Sequence, residues 1–499
     1  MDIFHSLFLG FSVGLQPFNI LCCFLGVLMG TLVGVLPGIG PIGSIALLLP
    51  ITFRIPPTSA IIMLAGIYYG TQYGGSTTSI LVNIPGEASS VVTCLDGHEM
   101  AKRGRAGAAL GIAAFGSFIA GTLGTMALTV FALPLAKFGL KFGAPEYFSI
   151  IVLALTLVAY LAHGSIIKAL VMATFGLILS CIGLDHISSS PRMTYNIIAL
   201  WDGIDVVPVA MGLFGISEIL ISIEEAVKPE ILRTKIKNLF PTALDWMQSK
   251  GAILRGTVLG FFCGTLPGGG LMISTFASYA IEKRISKTPE KFGKGAIEGV
   301  AGPESANNAA TSGAFIPLLT LGIPSNVVTA LLFGALMIHG IRPGPLLIKD
   351  HPDIFWGVIS SMYIGNVMLL ILNLPLIPIW VQVLKVPYRI LFPIILLLCL
   401  TGSYTLRNSF FDVLLMIIFG AAGYLFRKLS YEAAPLVLAF VLGPLFEENL
   451  RRSLIVSGGN FLIFFTRPIS AVGITLAIIL VATSIISYFF KGRRKTGIG

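Results

Sequence analysis

Apolar runs alternate along the whole chain with short polar or Gly/Pro-rich interruptions, a pattern that predicts membrane helices joined by tight turns. Residues 1–15 are apolar-rich but fall short of the roughly 20 helical residues a bilayer core demands, so they predict an interfacial helix. Residues 20–36 run into Pro37-Gly38-Ile39-Gly40-Pro41, and 42–51 are apolar again before Arg54 and Pro56-Pro57. Two apolar arms around a Pro/Gly tip read as a helical hairpin with a short second arm. Residues 60–83 carry Gly70, Gly74 and Gly75, which are expected to loosen the helix beside Ser76, Thr77, Thr78 and Asn83. Ile84-Pro85-Gly86-Glu87 follows, and the stretch reads as a polar break. Residues 107–133, 147–161 and 166–182 predict ordinary spans, and 201–223 a further one that Asp202 and Asp205 cap or flank.

A hydrophilic segment at 224–248 divides the chain, and the second half then echoes the first. Gly264-Thr265-Leu266-Pro267-Gly268-Gly269-Gly270 repeats Gly34-Val35-Leu36-Pro37-Gly38-Ile39-Gly40 at an offset of 230 (34 to 264). Gly322-Ile323-Pro324-Ser325 repeats Asn83-Ile84-Pro85-Gly86 at an offset of 239 (83 to 322). Two landmarks in one order at nearly one offset argue for internal duplication. Residues 256–281 have Arg255 before them and Lys283, Arg284, Lys287, Lys291 and Lys294 after them, so this hairpin is expected to enter and leave on the cytoplasmic face. Its counterpart around Pro37 has little charge at its end and is followed by Lys102, Arg103 and Arg105, which places it on the opposite face. The expectation is an all-α polytopic membrane protein of about ten to thirteen transmembrane helices. It would have two inverted repeats, each with a re-entrant hairpin and a broken helix. The predicted division is a first repeat at 1–223, a cytoplasmic linker at 224–250, a second repeat core at 251–353, and scaffold helices with a basic tail at 354–499.

Residues 295–326 are the focus of this pattern: two carboxylates, Asn307-Asn308, several hydroxyls and helix-breaking Gly and Pro lie between apolar turns. Broken polar chain at membrane depth is tolerable only when buried in protein or lining a cavity. Exposed N–H groups at such breaks can hold carboxylate oxygens, and exposed C=O groups can coordinate Na⁺. The substrate set is Gly38, Gly40, Gly75, Ser76, Thr77, Thr78, Gly268, Gly269, Asn307, Asn308, Ser312, Ser325 and Asn326. The cation set is Asn83, Pro85, Gly86, Thr311, Gly322 and Pro324. Glu304 reads either as a proton or cation site or as a solvated rim charge, and Glu298 as rim. His163 and His339 read as packing or interfacial residues.

Composition narrows the class. Of 499 residues 55% are hydrophobic and 11% charged, with a mean hydropathy of +0.90, far from soluble domains, in which about a quarter of residues are charged. The net charge of +10 lies in short clusters between spans, which are topology signals and not a nucleic-acid surface. The six cysteines show no metal-ligand or disulfide spacing, and no nucleophile–base or P-loop motif suggests an enzyme. No cofactor is expected beyond a coupling cation, Na⁺ or H⁺.

At GVLPGIGP, YYGTQYGGSTTSILVNIPGEASSVVTCLDGHEMAKRGRAG and GPESANNAATSGAFIPLLTLGIPS the chain resembles the large membrane subunit of the tripartite tricarboxylate transporter family. The resemblance implies a permease of the bacterial inner membrane for citrate or a related carboxylate, driven by a cation gradient. It also implies a small partner subunit of about four helices and a periplasmic solute-binding protein. Ser325-Asn326 departs from the family pattern after Pro324, which bears on the substrate. The competing readings are an ion channel, a membrane enzyme, or an uncoupled uniporter for small organic anions.

Charge predicts that the loops at 102–105 and 283–294 and the tail after residue 490 share the cytoplasmic face. A single cysteine placed near Ser286 is expected to resist an impermeant thiol reagent in intact cells and to react in inverted vesicles. Labelling from outside would overturn the inverted arrangement.

Overall fold

Two long helices rich in small and polar residues form the centre of the molecule, and apolar helices enclose them. The computed structural model describes residues 3–36, 39–162, 165–185, 187–225, 238–386 and 388–496. The longer helices, numbered here in order, are α1 Ile3–Gly14, α2 Pro17–Val35, α3 Gly40–Thr52 and α4 Pro57–Val82. They continue with α5 Ala106–Gly139, α6 Ala144–Leu161, α7 Ile166–Ser180 and α8 Val206–Glu224. The second half supplies α9 Ala243–Gly264, α10 Gly270–Ile285, α11 Glu298–Leu321, α12 Val327–Ile338 and α13 Pro352–Asn373. Four more follow, α14 Tyr388–Arg407, α15 Phe410–Lys428, α16 Ala433–Val456 and α17 Pro468–Thr496. One small antiparallel pair, Gly183–Leu184 with Pro191–Arg192, lies between α7 and α8.

The centre is α4 and α11. Every residue of α4 from Ser59 on is buried, and so is every residue of α11 from Gly299 to Thr320. Neither is apolar enough to face lipid, so each is stable only when covered by protein. The covering helices approach through glycine. Along α2, a Cβ on Gly26, Gly30 or Gly34 would lie 2.3, 2.5 or 2.4 Å from the carbonyl oxygens of Met63, Ile67 and Thr71 on α4. Along α9, a Cβ on Gly256, Gly260 or Gly264 would lie 2.3, 2.1 or 2.1 Å from those of Gly302, Ala306 and Ala310 on α11. These are small-residue helix seams of the kind membrane bundles use. The glycines are offset by 230 (26 to 256) and their partners by 239 (63 to 302), the same two offsets the Pro/Gly and Ile-Pro landmarks show. The duplication is therefore a repeated packing unit: a hairpin, α2–α3 or α9–α10, laid on a long polar helix.

Both polar helices stop in the same way. Asn83 (φ 60°) and Gly322 (φ 69°) take the left-handed conformation and are followed by Ile-Pro. Ile323 N–H donates back to Pro317 O (3.1 Å), a Schellman-type closure. The breaks lie at these stops. The break expected at Gly74–Thr78 is absent, because α4 is continuous there and Gly74 serves close approach, its missing Cβ lying against Thr31 O. Asn307 and Asn308 likewise sit within the unbroken α11, which runs through Pro303 and Pro317.

Among the described residues eight helices are long and apolar enough to cross a membrane: α2, α5, α6, α8, α13, α14, α15 and α16. The expected ten to thirteen exceeds this because α4 and α11 have spanning length, at 26 and 24 residues, but polar composition. The short arm α3 fits the expected hairpin, whereas α2 is itself a candidate span. Around the centre, α13 packs on α1, α4 and α5, with Gly10 of α1 against the Trp356 carbonyl. Outer pairs use the same device: Gly176 of α7 meets Leu436 O of α16, and Gly212 of α8 meets Met416 O of α15. Asp205 accepts from Val207 N–H (2.9 Å) and caps α8, as expected of it. Exposed Met126, Val130 and Phe131 of α5 and Ile417 and Ile418 of α15 present the apolar outer surface.

Replacing Gly30 or Gly260 by Leu forces α2 or α9 off its partner, and overpacking of this kind costs about 1–3 kcal/mol or more. The expected result is a sharp loss of monodisperse protein by fluorescence-detected gel filtration, with Met126→Leu on the exposed face unchanged. Normal yields for both glycine variants would mean the seams are not what holds the centre.

Candidate functional site

The chain that leaves α4 turns back into the protein because three glycines stack. A Cβ on Gly86 would lie 2.4 Å from the Gly75 Cα and 2.5 Å from Gly34 O, and one on Gly75 would lie 3.1 Å from the Glu87 Cγ. This close passage carries Glu87 inward, where its side chain reaches α11. Asn307 Nδ2 donates to Glu87 Oε1 (2.7 Å). The second carboxylate is one turn earlier on α11: Ser76 donates to Glu304 Oε2 (2.5 Å) and Thr93 to Glu304 Oε1. Asn308 Nδ2 donates to Ser117 Oγ of α5 (2.7 Å) and to Glu304 O (3.0 Å). Glu87 is 8% and Glu304 1% exposed. Among the described residues no Lys, Arg or His pairs with either. Glu304 is thus a buried carboxylate and not a rim charge.

A second constellation surrounds the stop of α11. Gly268 at the tip of the α9–α10 hairpin donates its N–H to Ser325 O (2.7 Å). Asn326 caps α12 through Thr329 N–H (2.9 Å), and its Nδ2 donates to Tyr68 OH of α4 (3.0 Å). This contact and the Asn307–Glu87 contact are reciprocal. Residues 68 and 307 differ by 239, as do 87 and 326, so each polar helix touches the residue just beyond the other's stop. The exchange thus pairs equivalent positions of the two hairpin-and-helix units. Asp96 adds a further tie, accepting from Gly295 N–H (2.7 Å), Ala296 N–H (2.8 Å) and Tyr279 OH (2.9 Å).

Open space is unevenly placed. A void of about 10 Å³ beside Tyr73, Ser76, Thr77 and Ser117 has room for a single water at most. The large cavity, about 1210 Å³, lies at the far end of α11 and is lined by Gly322, Ile323, Trp201, Arg192, Arg342 and Arg452. Its rim is a network of ion pairs: Arg192–Glu447 (2.6 Å), Arg451–Asp185 (2.8 Å) and Arg452–Glu448 (2.6 Å). The Ile187 N–H and the Arg451 guanidinium hold the Asp185 carboxyl well below the usual carboxylate range.

Of the substrate set, Ser76, Asn307 and Asn308 come together around the carboxylates, and Gly75 provides the passage for Glu87. Thr77 borders the small void. Gly268, Ser325 and Asn326 form the second constellation, with Gly269 beside Leu161 O. Gly40 (φ 60°) opens α3 with open space around it, and Gly38 lies outside the described residues. Thr78 donates to Val35 O (2.6 Å) and Ser312 lies 3.5 Å from Thr125, both helix-to-helix contacts. The cation set divides among an exposed Asn83, Pro85 and Gly86 in the passage, Thr311 on Asn307 O (3.1 Å), Gly322 in the cavity wall and a buried Pro324. Sequence reasoning left out Glu87, Tyr68 and Thr93. Glu87 had a signal: it is the acid directly after Ile-Pro-Gly in an otherwise uncharged stretch.

An all-α bundle of membrane-length helices around two enclosed polar ones defines a polytopic membrane protein. The chain belongs to the Tripartite tricarboxylate transporter TctA family, which it matches over residues 20–438. This is a family of transporters that work in multi-subunit systems. An uncharacterized 52.8 kDa protein in the TAR-I ttuC′ 3′ region of Agrobacterium vitis is 52% identical over 489 residues, covering 97% of each chain. An uncharacterized protein in the TAR-II ttuC′ 3′ region of the same organism is 53% identical over 225 residues, 45% of this chain and 93% of that one. No solved structure matches.

Asn308→Ala removes the donor shared by Ser117 and Glu304 O, and Asn307→Ala strips Glu87 Oε1 of the Asn307 amide donor. A hydrogen bond is worth about 0.5–1.5 kcal/mol net, and more where a buried partner is left unsatisfied, so transport efficiency is expected to fall about tenfold or more, with membrane insertion unchanged. Parental transport by both variants would place the site elsewhere.

Proposed function

We propose that this chain is the large permease subunit of a tripartite uptake system. It moves citrate or a related di- or tricarboxylate across the bacterial inner membrane by symport with Na⁺ or H⁺. A periplasmic solute-binding protein delivers the substrate, a small four-helix subunit completes the membrane part, and the C-terminus is cytoplasmic. The two hairpin-and-helix units are inverted relative to each other across the membrane. The observation that carries the reading is the 1210 Å³ cavity that leads to Gly322 and Ile323, where a buried polar helix stops and the chain restarts as α12. It has the volume for a small polyanion, Arg192, Arg342 and Arg452 in its lining, a side-chain type that binds carboxylates, and the left-handed stop of α11 at Gly322 in its wall. The unfilled space at the carboxylate cluster is about 10 Å³, which favours a gated carrier over an open channel.

Reconstitution with both partners into liposomes tests this. Uptake of labelled citrate is expected to require an inward Na⁺ or H⁺ gradient and, at micromolar substrate, the binding protein. Gradient-independent equilibration would establish the uniporter reading, and equal uptake by this chain alone would remove the partners from the mechanism.

A further inference from the structure

The Glu87–Asn307 contact is incomplete in a specific way. Asn307 spends its Nδ2 on Glu87 Oε1, which leaves Glu87 Oε2 and Asn307 Oδ1, both fully buried, without a hydrogen-bond partner among the described residues. Glu87 and Asn307 are 8% and 1% exposed. Both orphan atoms are acceptors. A hydrogen-bond donor deficit of two on adjacent side chains is costly in a dry interior, and an ionised carboxylate with no cationic partner is costlier.

Glu304 is a useful contrast. It too is buried and has no basic partner, yet each of its oxygens receives a hydroxyl, from Ser76 and Thr93. Of these two carboxylates, then, the one with an unpartnered oxygen is Glu87. A carboxylate oxygen and an amide oxygen, both hard donors, form a ligand pair suited to an alkali cation. The chain segment entering the site, Pro85–Gly86, passes against Gly34 and Gly75 and adds backbone at the same place.

We propose that Glu87 Oε2 and Asn307 Oδ1 bind a single Na⁺, shared between the stop of α4 and the middle of α11. The sequence put Asn307 against the substrate and the cation on Asn83, Pro85, Gly86, Thr311, Gly322 and Pro324; this site instead moves Asn307 to the cation and adds a carboxylate that the cation set lacked. It rests on the cation-coupled reading of transport. Because Glu87 and Asn307 come from different repeats, the ion ties the two halves together and is released when they separate.

The test is made without substrate, so that it stands apart from uptake. Thermal unfolding of the purified full-length chain in detergent is followed in NaCl against choline chloride at constant ionic strength and pH. A saturable Na⁺-dependent rise in Tm is expected for the parent and for Met126→Leu on the exposed face, and its loss is expected in Glu87→Gln and Asn307→Ala. Where Glu87→Gln is not recovered folded, Glu87→Asp keeps the charge but withdraws the oxygen, and is expected to weaken the apparent Na⁺ affinity about tenfold. Coincident curves in NaCl and choline for the parent, an unchanged Na⁺ effect in the Glu87 and Asn307 variants, or stabilisation that follows pH and not Na⁺ would each overturn the proposal. Failure of citrate uptake with Na⁺ stabilisation intact would instead fault the substrate assignment alone.

Discussion

A polar helix inside a membrane protein is stable only if every face of it is covered closely enough to satisfy or exclude its polar atoms, and here glycine sets that distance. Three glycines of α2 lie on carbonyls of α4, and three of α9 on carbonyls of α11, at separations no Cβ could occupy. The close approach does two things together. It gains van der Waals contact where no hydrophobic driving force separates helix from lipid, and it keeps lipid away from Ser76, Asn307, Asn308 and the two acids. Were either seam opened, buried carboxylates would lose their enclosure, so packing and chemistry at the centre are one constraint.

This constraint explains what could be read from the sequence and what could not. The membrane class, the hairpins and the duplication follow from hydropathy, from Pro/Gly tips and from paired landmarks, all of which are local patterns. The spacing Gly26-Gly30-Gly34 and its copy at Gly256-Gly260-Gly264 was equally local, but a glycine in a helix admits two readings: a loose turn or a close neighbour. At Gly74 the first reading is natural from sequence alone, and the Thr31 carbonyl that makes the second correct lies 43 residues away in the chain. For the same reason Asn307 and Asn308 looked like part of a break. Their helix is continuous, and the actual stop is the left-handed Gly322 fifteen and fourteen residues later.

The site itself was half legible. Side chains with a strong type signal, Asn307-Asn308 and Ser76, fall where the chemistry concentrates. The partner that gives them meaning, Glu87, is placed by the three-glycine passage through Gly34, Gly75 and Gly86, a tertiary contact between segments about 50 residues apart that no periodicity reports. Thr78 and Ser312, of the same residue types as Ser76, instead tie helices together, because a hydroxyl in a membrane bundle serves either end equally well.

The reciprocal pair, Tyr68 with Asn326 and Asn307 with Glu87, shows how duplication and function meet. Duplication supplies two equivalent contacts between the halves, and symmetry alone would keep them alike. They have diverged in chemistry: a phenol faces an amide in one, and an amide faces a carboxylate in the other. The first is neutral and self-sufficient, able to form and part at the modest net cost of one hydrogen bond. The second holds a buried carboxyl group with one oxygen left unpartnered among the described residues. Equivalent positions therefore carry unequal demand: the Tyr68–Asn326 contact closes on itself, whereas the Glu87–Asn307 contact leaves two buried acceptor atoms, Glu87 Oε2 and Asn307 Oδ1, without a partner among the described residues.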